Sequence, residues 1–372
     1  MNQRVLDRED FGALLEALSG HGYTIVGPKV ADQAVVYDEL TGVEDLPIGW
    51  TDDQEGGRYS LRRREDDALF GYAVGQHSWK KFLFPSRSTL FHVEKRDGRL
   101  AFVAEDFEVP RLAFLGVRAC ELAAIGIQDK VFLGSGPVDR IYEAGRSDVF
   151  VVALNCMVAG GTCFCVSMGT GPRCGSGYDL VLTEIIEGDR HEFVVEAGTE
   201  AGEEVLSTLP GREATEGDRA SVDQVVERTS ASMGRTMDNT GIKALLYENL
   251  EHPRWDDVAE RCLACTNCTL VCPTCFCSTT EDTVSLDGSA STRTRRWDSC
   301  FNLEFSGLHG DPVRHTNKGR YRQWMTHKLA SWYDQFGSSG CVGCGRCITW
   351  CPVGIDITEE VAAIRSSPGG GE

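Results

Sequence analysis

The pattern of apolar and polar positions divides the chain into two parts with different predicted secondary structure. In the first part, two unbroken apolar runs of strand length, residues 112–117 and 149–154, flank a segment with helical spacing at residues 121–131. Fully apolar strands joined by a helix are typical of parallel strands covered on both faces. Other predicted elements are a helix at 10–18 and strands at 23–26, 34–37, 181–186 and 192–195. We therefore predict an α/β domain with a mixed, partly parallel sheet for residues 1–230.

Helical periodicity dominates the second part. Helices are predicted at residues 242–250, 255–261 and 320–333. The insert at residues 274–340 carries helix signals in place of the short hairpins of a compact two-cluster ferredoxin. We predict a mostly α-helical domain at residues 231–365 and a disordered, glycine-rich tail at residues 366–372. The charged segment at residues 200–224 is expected to be a solvated helical excursion.

Composition narrows the possible classes of function. The chain has 372 residues, of which 16 are Cys, and a formal net charge of −19. An acidic surface disfavours nucleic acid and anionic lipid as partners. Residues 1–10 are polar and no apolar run is long enough to cross a bilayer, so we expect a cytoplasmic protein without a membrane partner. In that compartment many Cys indicate metal or redox chemistry and not a disulfide framework.

Two copies of one cysteine pattern lie in the second part. Each copy reads C-x2-C-x2-C-x3-C-P, at residues 262–273 and 341–352. This is the bacterial ferredoxin spacing for [4Fe–4S] clusters, in which the fourth Cys of one run ligates the cluster of the other. Structural zinc usually takes two separated pairs of ligands, so the doubled runs favour clusters over zinc. We assign one cluster to Cys262, Cys265, Cys268 and Cys351, and a second to Cys341, Cys344, Cys347 and Cys272.

Further Cys are expected to meet at one edge of the N-terminal sheet. Cys120 and Cys156 each follow one of the two apolar strands, and Cys163 and Cys165 lie in the loop after Cys156. The carboxyl ends of parallel strands share one edge, where ligands commonly bind, and helix N-termini there favour thiolates. We predict a third [4Fe–4S] cluster on Cys120, Cys156, Cys163 and Cys165, with Cys174 as a substitute ligand. Zinc is the alternative metal at this site.

Cys275, Cys277 and Cys300 remain outside these sets. They could hold another metal, form a redox-active group, or pack around the first run. The glycine-rich residues 169–177 do not lie between a strand and a helix, which disfavours a dinucleotide-binding loop. No acid–base or nucleophilic constellation is present that would make the chain catalytic alone.

Taken together, these motifs resemble one family. The matching stretches are residues 116–122, 163–165, 167–171, 177–180, 272–277, 297–301, 321–324, 343–347 and 351–356. The chain is similar to the beta subunit of cytosolic, NADP-linked [NiFe] hydrogenases, or sulfhydrogenases, and to the related A subunit of anaerobic sulfite reductase. It departs from the family at Ala119, where Pro is usual, and this change does not affect any ligand.

The resemblance implies an electron-transfer subunit that carries [4Fe–4S] clusters and holds neither flavin nor nickel. Its implied partners are a flavin subunit that binds NADP(H), a small iron–sulfur subunit and the [NiFe] catalytic subunit. Two other functions stay open. One is the same role in an anaerobic sulfite reductase, and the other is direct reduction of polysulfide or a disulfide at the third cysteine centre.

Overall fold

The computed structural model describes residues 3–96, 99–104, 110–134 and 136–367. The strands, β1 to β16 in chain order, are Gln3–Asp7, Thr24–Ala31, Ala34–Glu39, Trp50–Glu55, Arg58–Arg63, Arg87–Arg96, Arg99–Ala104, Leu112–Arg118, Phe150–Leu154, Leu180–Glu187, Arg190–Ala197, Arg212–Glu213, Ser278–Val284, Ala290–Trp297, Gly307–Leu308 and Asp311–Pro312. The helices, α1 to α14, are Gly12–Gly20, Lys80–Leu83, Ala119–Phe132, Arg140–Ser147, Cys165–Met168, Glu200–Thr208, Glu216–Ala231, Ile242–Glu248, Arg254–Arg261, Asn267–Leu270, Asn317–Thr326, Trp332–Phe336, Arg346–Thr349 and Ile357–Ser366. Short 3₁₀ turns lie at Arg8–Phe11, Val43–Asp45 and Glu304–Ser306.

The largest sheet of the described residues has eight strands, in the order β12-β1-β11-β10-β9-β8-β2-β3. The central strand β8 pairs in parallel with both β2 and β9, and β9 pairs in parallel with β10. The outer strands pair antiparallel. The sequence-based expectation of a mixed, partly parallel sheet is thus confirmed, and so is the parallel pair formed by the two apolar runs.

Both faces of this sheet are covered, which explains why every residue of β8 and β9 is buried. Side chains of a strand alternate between faces. Leu115 accordingly packs into one core together with Leu14 of α1 and Val205 of α6. Phe114 packs into the opposite core together with Leu122 of α3.

The second part of the chain is mostly helical, as predicted, with its own apolar core. Trp255 of α9, Trp324 of α11 and Ile364 of α14 lie in this core, and Cys of both ferredoxin-type runs pack against it. α11 continues into α12 through a π-helical segment, His327–Ser331. None of the helices that the described residues form has the length and apolar character needed to span a bilayer.

The insert between the two cysteine runs differs from the prediction. It contains a β-hairpin, β13–β14, as well as the expected helices, and the hairpin joins β6 and β7 in a four-stranded antiparallel sheet. The hairpin was missed because its strands are polar and half exposed, so they lack the apolar alternation that marks a strand. This sheet combines strands from both sides of residue 230, and the domain boundary there remains a prediction.

Two smaller expectations also change. Residues 200–224 do form helices, α6 and the first part of α7, but they are not a solvated excursion, because Val205 and Leu206 are buried against the sheet. The C-terminal helix α14 includes Ser366, so the tail begins later than predicted. Residues 368–372 of that tail lie outside the described residues.

Candidate metal centres

The first cysteine run forms a tight loop between α9 and α10. The Cys262 N–H donates to the Val258 carbonyl at 2.9 Å as α9 ends. Ala264 and Thr266 then take left-handed φ angles of 50° and 72°, which fold the chain back on itself. This loop and the second run together enclose an apolar pocket. Its cysteines are Cys262, Cys265, Cys268, Cys347 and Cys351.

Cys351 thus lies with the first run although it comes from the second, and so does Cys347, so the interleaved assignment remains a prediction. Burial raises the pKa of the Cys268 thiol well above its usual value, and the charges of Cys262 and Cys351 add to this effect. Several acidic groups that share one buried space cannot all ionise in the absence of a cation. A metal centre removes this conflict, because a coordinated thiol is deprotonated outright.

Two unpartnered donors support the fit of a cluster in this pocket. Tyr321 and Trp324 are buried and line it. Within the described part of the chain, neither the Tyr321 hydroxyl nor the Trp324 Nε1 has a hydrogen-bond partner. Buried polar groups are rarely left unsatisfied, and sulfurs of a [4Fe–4S] cluster accept such hydrogen bonds. The all-sulfur donor set likewise suits iron–sulfur chemistry.

Cys272 lies with the second run. Burial raises the pKa of the Cys341 thiol to about 12, against the charge of Lys328, and neighbouring thiols include Cys344 and Cys272. Gly343 and Gly345 have φ angles of 66° and 75°, so the loop uses the left-handed region twice. The Gly343 N–H points to the Cys341 sulfur at 3.5 Å.

A buried lysine, Lys328, lies directly beside this set, and sequence spacing gave no sign of it. Its ammonium donates to the Cys272 sulfur at 3.3 Å and to the Thr274 hydroxyl at 3.0 Å. Burial disfavours the charged lysine, but the attraction of Cys272 and Cys275 outweighs burial, and the pKa of Lys328 lies well above its usual value. A hydrogen bond with Cys275, aided by Lys328, holds the pKa of the Cys272 thiol well below its usual value. The site therefore stabilises thiolate at Cys272.

The predicted third set comes together at the sheet edge. Cys120 opens α3 directly after β8, and Cys165 opens α5 in the loop after β9. Burial raises the pKa of Cys120 well above its usual value, and the charges of Cys165, Cys344 and Cys156 contribute. Burial raises the pKa of Cys163 to about 12, and the charges of Cys156 and Cys344 add to this effect. The thiols therefore lie close enough to act on one another, and their assignment to one cluster remains a prediction.

The third set also adjoins the second run, which the sequence did not predict. The Phe164 N–H donates to the Gly343 carbonyl at 2.8 Å, and the Cys163 sulfur lies 4.0 Å from the Cys344 carbonyl oxygen. A Cβ on Gly343 would lie 2.6 Å from the Phe164 carbonyl oxygen, so only glycine permits this approach. The two thiol sets therefore share a wall made of backbone.

Cys174, the predicted substitute ligand, lies beside the third set. Its sulfur contacts the Leu154 carbonyl at 3.4 Å, and its N–H donates to the Asn155 side chain at 2.8 Å. Burial raises its pKa, with Cys156 as the neighbouring thiol. No three or more Cys, His, Asp or Glu side chains of the described residues are arranged to hold a lone metal ion.

A buried ion pair joins the second run to the sheet edge. Arg346 donates to Glu121 Oε1 at 2.5 Å, and both side chains are almost completely buried. Arg346 also donates to the His77 carbonyl at 2.8 Å, and Glu121 accepts from Trp79 at 3.1 Å and Tyr37 at 2.9 Å. Sequence reasoning missed this pair, because a charged residue between two ligand Cys looks like an exposed loop position.

Comparison with known proteins agrees with this arrangement. Residues 261–355 match the family described as a 4Fe-4S dicluster domain. The family match therefore defines an iron–sulfur protein with an electron-transferring dicluster domain. The chain is also similar to sulfhydrogenase 2 subunit beta of Pyrococcus furiosus, with 31% identity over 290 residues, which cover 77% of this chain and 82% of that protein. The chain thus belongs to the family of sulfhydrogenase beta subunits.

Proposed function

We propose that this chain is the iron–sulfur electron-transfer subunit of a hydrogenase-type complex and relays single electrons between partner subunits. The contiguity of the three thiol sets carries the proposal. Cys347 lines the pocket of the first set, and the backbone around Gly343 separates the second set from the third. When bound, a [4Fe–4S] cluster takes up and releases one electron at a time.

In this proposal each set of residues holds one cluster. Cys262, Cys265, Cys268 and Cys351 hold the first, Cys272, Cys341, Cys344 and Cys347 the second, and Cys120, Cys156, Cys163 and Cys165 the third. The chain itself supplies positioning and charge. Lys328 stabilises negative charge at Cys272, Arg346 orients the second run against the sheet, and the aromatic wall at Tyr321 and Trp324 excludes water from the first pocket.

The partners follow from family membership. The Pyrococcus furiosus relative is named as a subunit of a sulfhydrogenase. We propose that this chain assembles with a flavin subunit that exchanges electrons with NADP(H), a small iron–sulfur subunit and a [NiFe] catalytic subunit, and that it holds neither flavin nor nickel itself. Purification of the complex from its native source tests this set, because an anaerobic sulfite reductase would yield different companion subunits.

The number of clusters is tested by iron and acid-labile sulfide in anaerobically purified protein. Two clusters correspond to about eight iron per chain and three to about twelve. The double variant Cys120→Ser/Cys163→Ser should lose about four iron, because it removes half of the third set. Cys174→Ser is the matched control at a neighbouring buried thiol and should lose none. A double variant with unchanged iron content would refute the third centre and leave the other two in place.

A further inference from the structure

Cys275, Cys277 and Cys300 are the cysteines that the three cluster sets leave unassigned. The structure gathers all three on the wall of one open pocket of about 410 Å³ next to the second set. This volume is in the range of sites for small organic molecules. The pocket is therefore large enough for a ligand that reaches these thiols from solvent.

Two of the thiols are held near each other by a rigid support. Cys277 precedes β13 and Cys300 follows β14, and the antiparallel register of this hairpin pairs Ser278 with Trp297. The Asp298 N–H donates to the Cys277 carbonyl at 2.9 Å, which closes the open end of the hairpin. The Cys277 and Cys300 side chains both line the pocket. The hairpin thus holds two thiols near each other at its open end, an arrangement suited to forming a disulfide.

The charges around the pocket select its ligand. Arg314 and Lys328 line it, together with His327, whose pKa burial lowers, and with aromatic side chains such as Phe276 and Trp332. Among the described residues that line this pocket there is no Asp or Glu, although the chain has a net charge of −19. A basic, partly aromatic pocket in an acidic protein favours an organic anion.

We propose that Cys277 and Cys300 form a redox-active dithiol that reduces small anionic organic disulfides bound in this pocket. The proposal rests on the electron-transfer function above, since the dithiol must be regenerated by electrons from the second set. The second set lies beside the pocket, because Lys328 contacts both the Cys272 sulfur of that set at 3.3 Å and the Cys275 sulfur of the pocket wall at 3.6 Å.

The chemistry balances as a thiol–disulfide exchange followed by reduction. The Cys277 thiolate attacks one sulfur of the bound disulfide, forms a mixed disulfide and expels the first thiolate product. Cys300 then attacks the Cys277 sulfur, releases the second thiolate and leaves a Cys277–Cys300 disulfide. A [4Fe–4S] cluster held by the second set would supply two electrons, one at a time, and these with two protons from solvent would restore the dithiol. The hydrogen bond from Cys300 lowers the pKa of Cys277 to about 7, which supports its role as the attacking thiolate.

The test uses two small disulfides of similar size, dithiodiglycolate, which is anionic, and hydroxyethyl disulfide, which is neutral. Anaerobic full-length protein with its clusters is reduced with titanium(III) citrate, and thiol release is measured. We expect release from dithiodiglycolate to fall at least tenfold in Cys277→Ser and in Cys300→Ser, with iron content unchanged. Arg314→Gln should slow the anionic substrate about tenfold more than the neutral one. Mass spectrometry of the oxidised wild-type protein should identify a Cys277–Cys300 disulfide, a readout that does not depend on the folding of any variant.

Loss of about four iron in Cys277→Ser and Cys300→Ser would overturn the proposal, because these thiols would then be cluster ligands. Unchanged thiol release in both variants would overturn it equally. A further arm replaces titanium(III) with dithiothreitol. If dithiothreitol but not titanium(III) reduced the Cys277–Cys300 disulfide of the protein, electrons from the second set would not reach these two cysteines. That result would also overturn the proposal. The iron count of the wild-type protein tests the electron-transfer function separately.

Discussion

Lys328→Met should lower the reduction potential of the cluster that we assign to the second set. The Lys328 ammonium lies 3.3 Å from the Cys272 sulfur. Its raised pKa means that it is charged at neutral pH. A fixed positive charge stabilises the reduced form, which carries one more negative charge, so its removal favours the oxidised form.

The structure sets the size of this effect. At an effective dielectric constant of about 20, a unit charge at 3.3 Å contributes about 5 kcal/mol. This is an upper limit, because the added electron spreads beyond the Cys272 sulfur, and at about 10 Å the same charge contributes about 1.7 kcal/mol. For one electron, about 1.4 kcal/mol corresponds to about 59 mV. We therefore expect the potential to fall by about 70 to 200 mV.

The substitution should leave the local structure intact. The Gly340 carbonyl, which Lys328 contacts, also accepts from the Thr274 hydroxyl at 2.7 Å, and that hydroxyl lies 3.1 Å from the Cys272 sulfur. The Gly340 carbonyl therefore keeps a donor when the ammonium is removed, and the Cys272 sulfur loses only the Lys328 contact. Met also preserves most of the apolar volume of the side chain.

The assay is an anaerobic redox titration monitored by electron paramagnetic resonance. Lys29→Met is the control, because it removes a lysine of β2 in the N-terminal sheet that pairs with Asp45, and exposed charges are screened beyond about 8 to 10 Å. We expect its cluster potentials to stay within about 10 mV of the wild type. If Lys328→Met kept its full iron content and all its potentials, Lys328 would not be the counter-charge of the second set.

Two other predictions concern the contacts between the two parts of the chain. Gly343→Ala should reduce the iron content of the second and third sets, because its Cβ would lie 2.6 Å from the Phe164 carbonyl oxygen. The control Gly241→Ala, at a similar φ of 61° but with open space around the Cβ, should keep its full iron content. Equal iron loss in both variants would contradict this reasoning. Arg346→Met should lower the free energy of unfolding by about 3–5 kcal/mol in anaerobic denaturation, because it leaves Glu121 buried without its partner. Arg346→Met/Glu121→Gln should recover part of that loss, and a single variant as stable as the wild type would contradict a structural role for the pair.

The sequence predicted those features whose signal lies in a short stretch of chain. The spacing of each cysteine run marks candidate ligands, which remain a prediction, and the apolar runs at β8 and β9 identify two neighbouring parallel strands, which the structure confirms. The sheet-edge argument then places Cys120 near Cys156 without any contact information. In each of these cases one dominant physical effect, sulfur ligation or burial, decides the outcome.

The features that the sequence could not predict depend on pairs of residues far apart in the chain. Lys80 donates to the carbonyls of Leu270 and Cys272, about 190 positions further along, and no pattern around Lys80 distinguishes it from a surface lysine. The hairpin β13–β14 also depends on a distant partner, because its polar strands are stabilised by pairing with β6, which lies far earlier in the sequence. Tertiary pairing of this kind overrides local propensity.

The buried cations explain how an acidic chain can hold so many thiolates. The buried Lys and Arg among the described residues are Lys80, Arg118, Arg295, Arg320, Lys328 and Arg346. Arg295 forms an ion pair with Asp139, and the charge of each of the others acts on a cysteine of the candidate centres. Burial of an ion is costly unless it is paired, so Lys80, Arg118, Arg320 and Lys328 are best explained as counter-charges to the thiolates, whereas Arg346 also pairs with the buried Glu121.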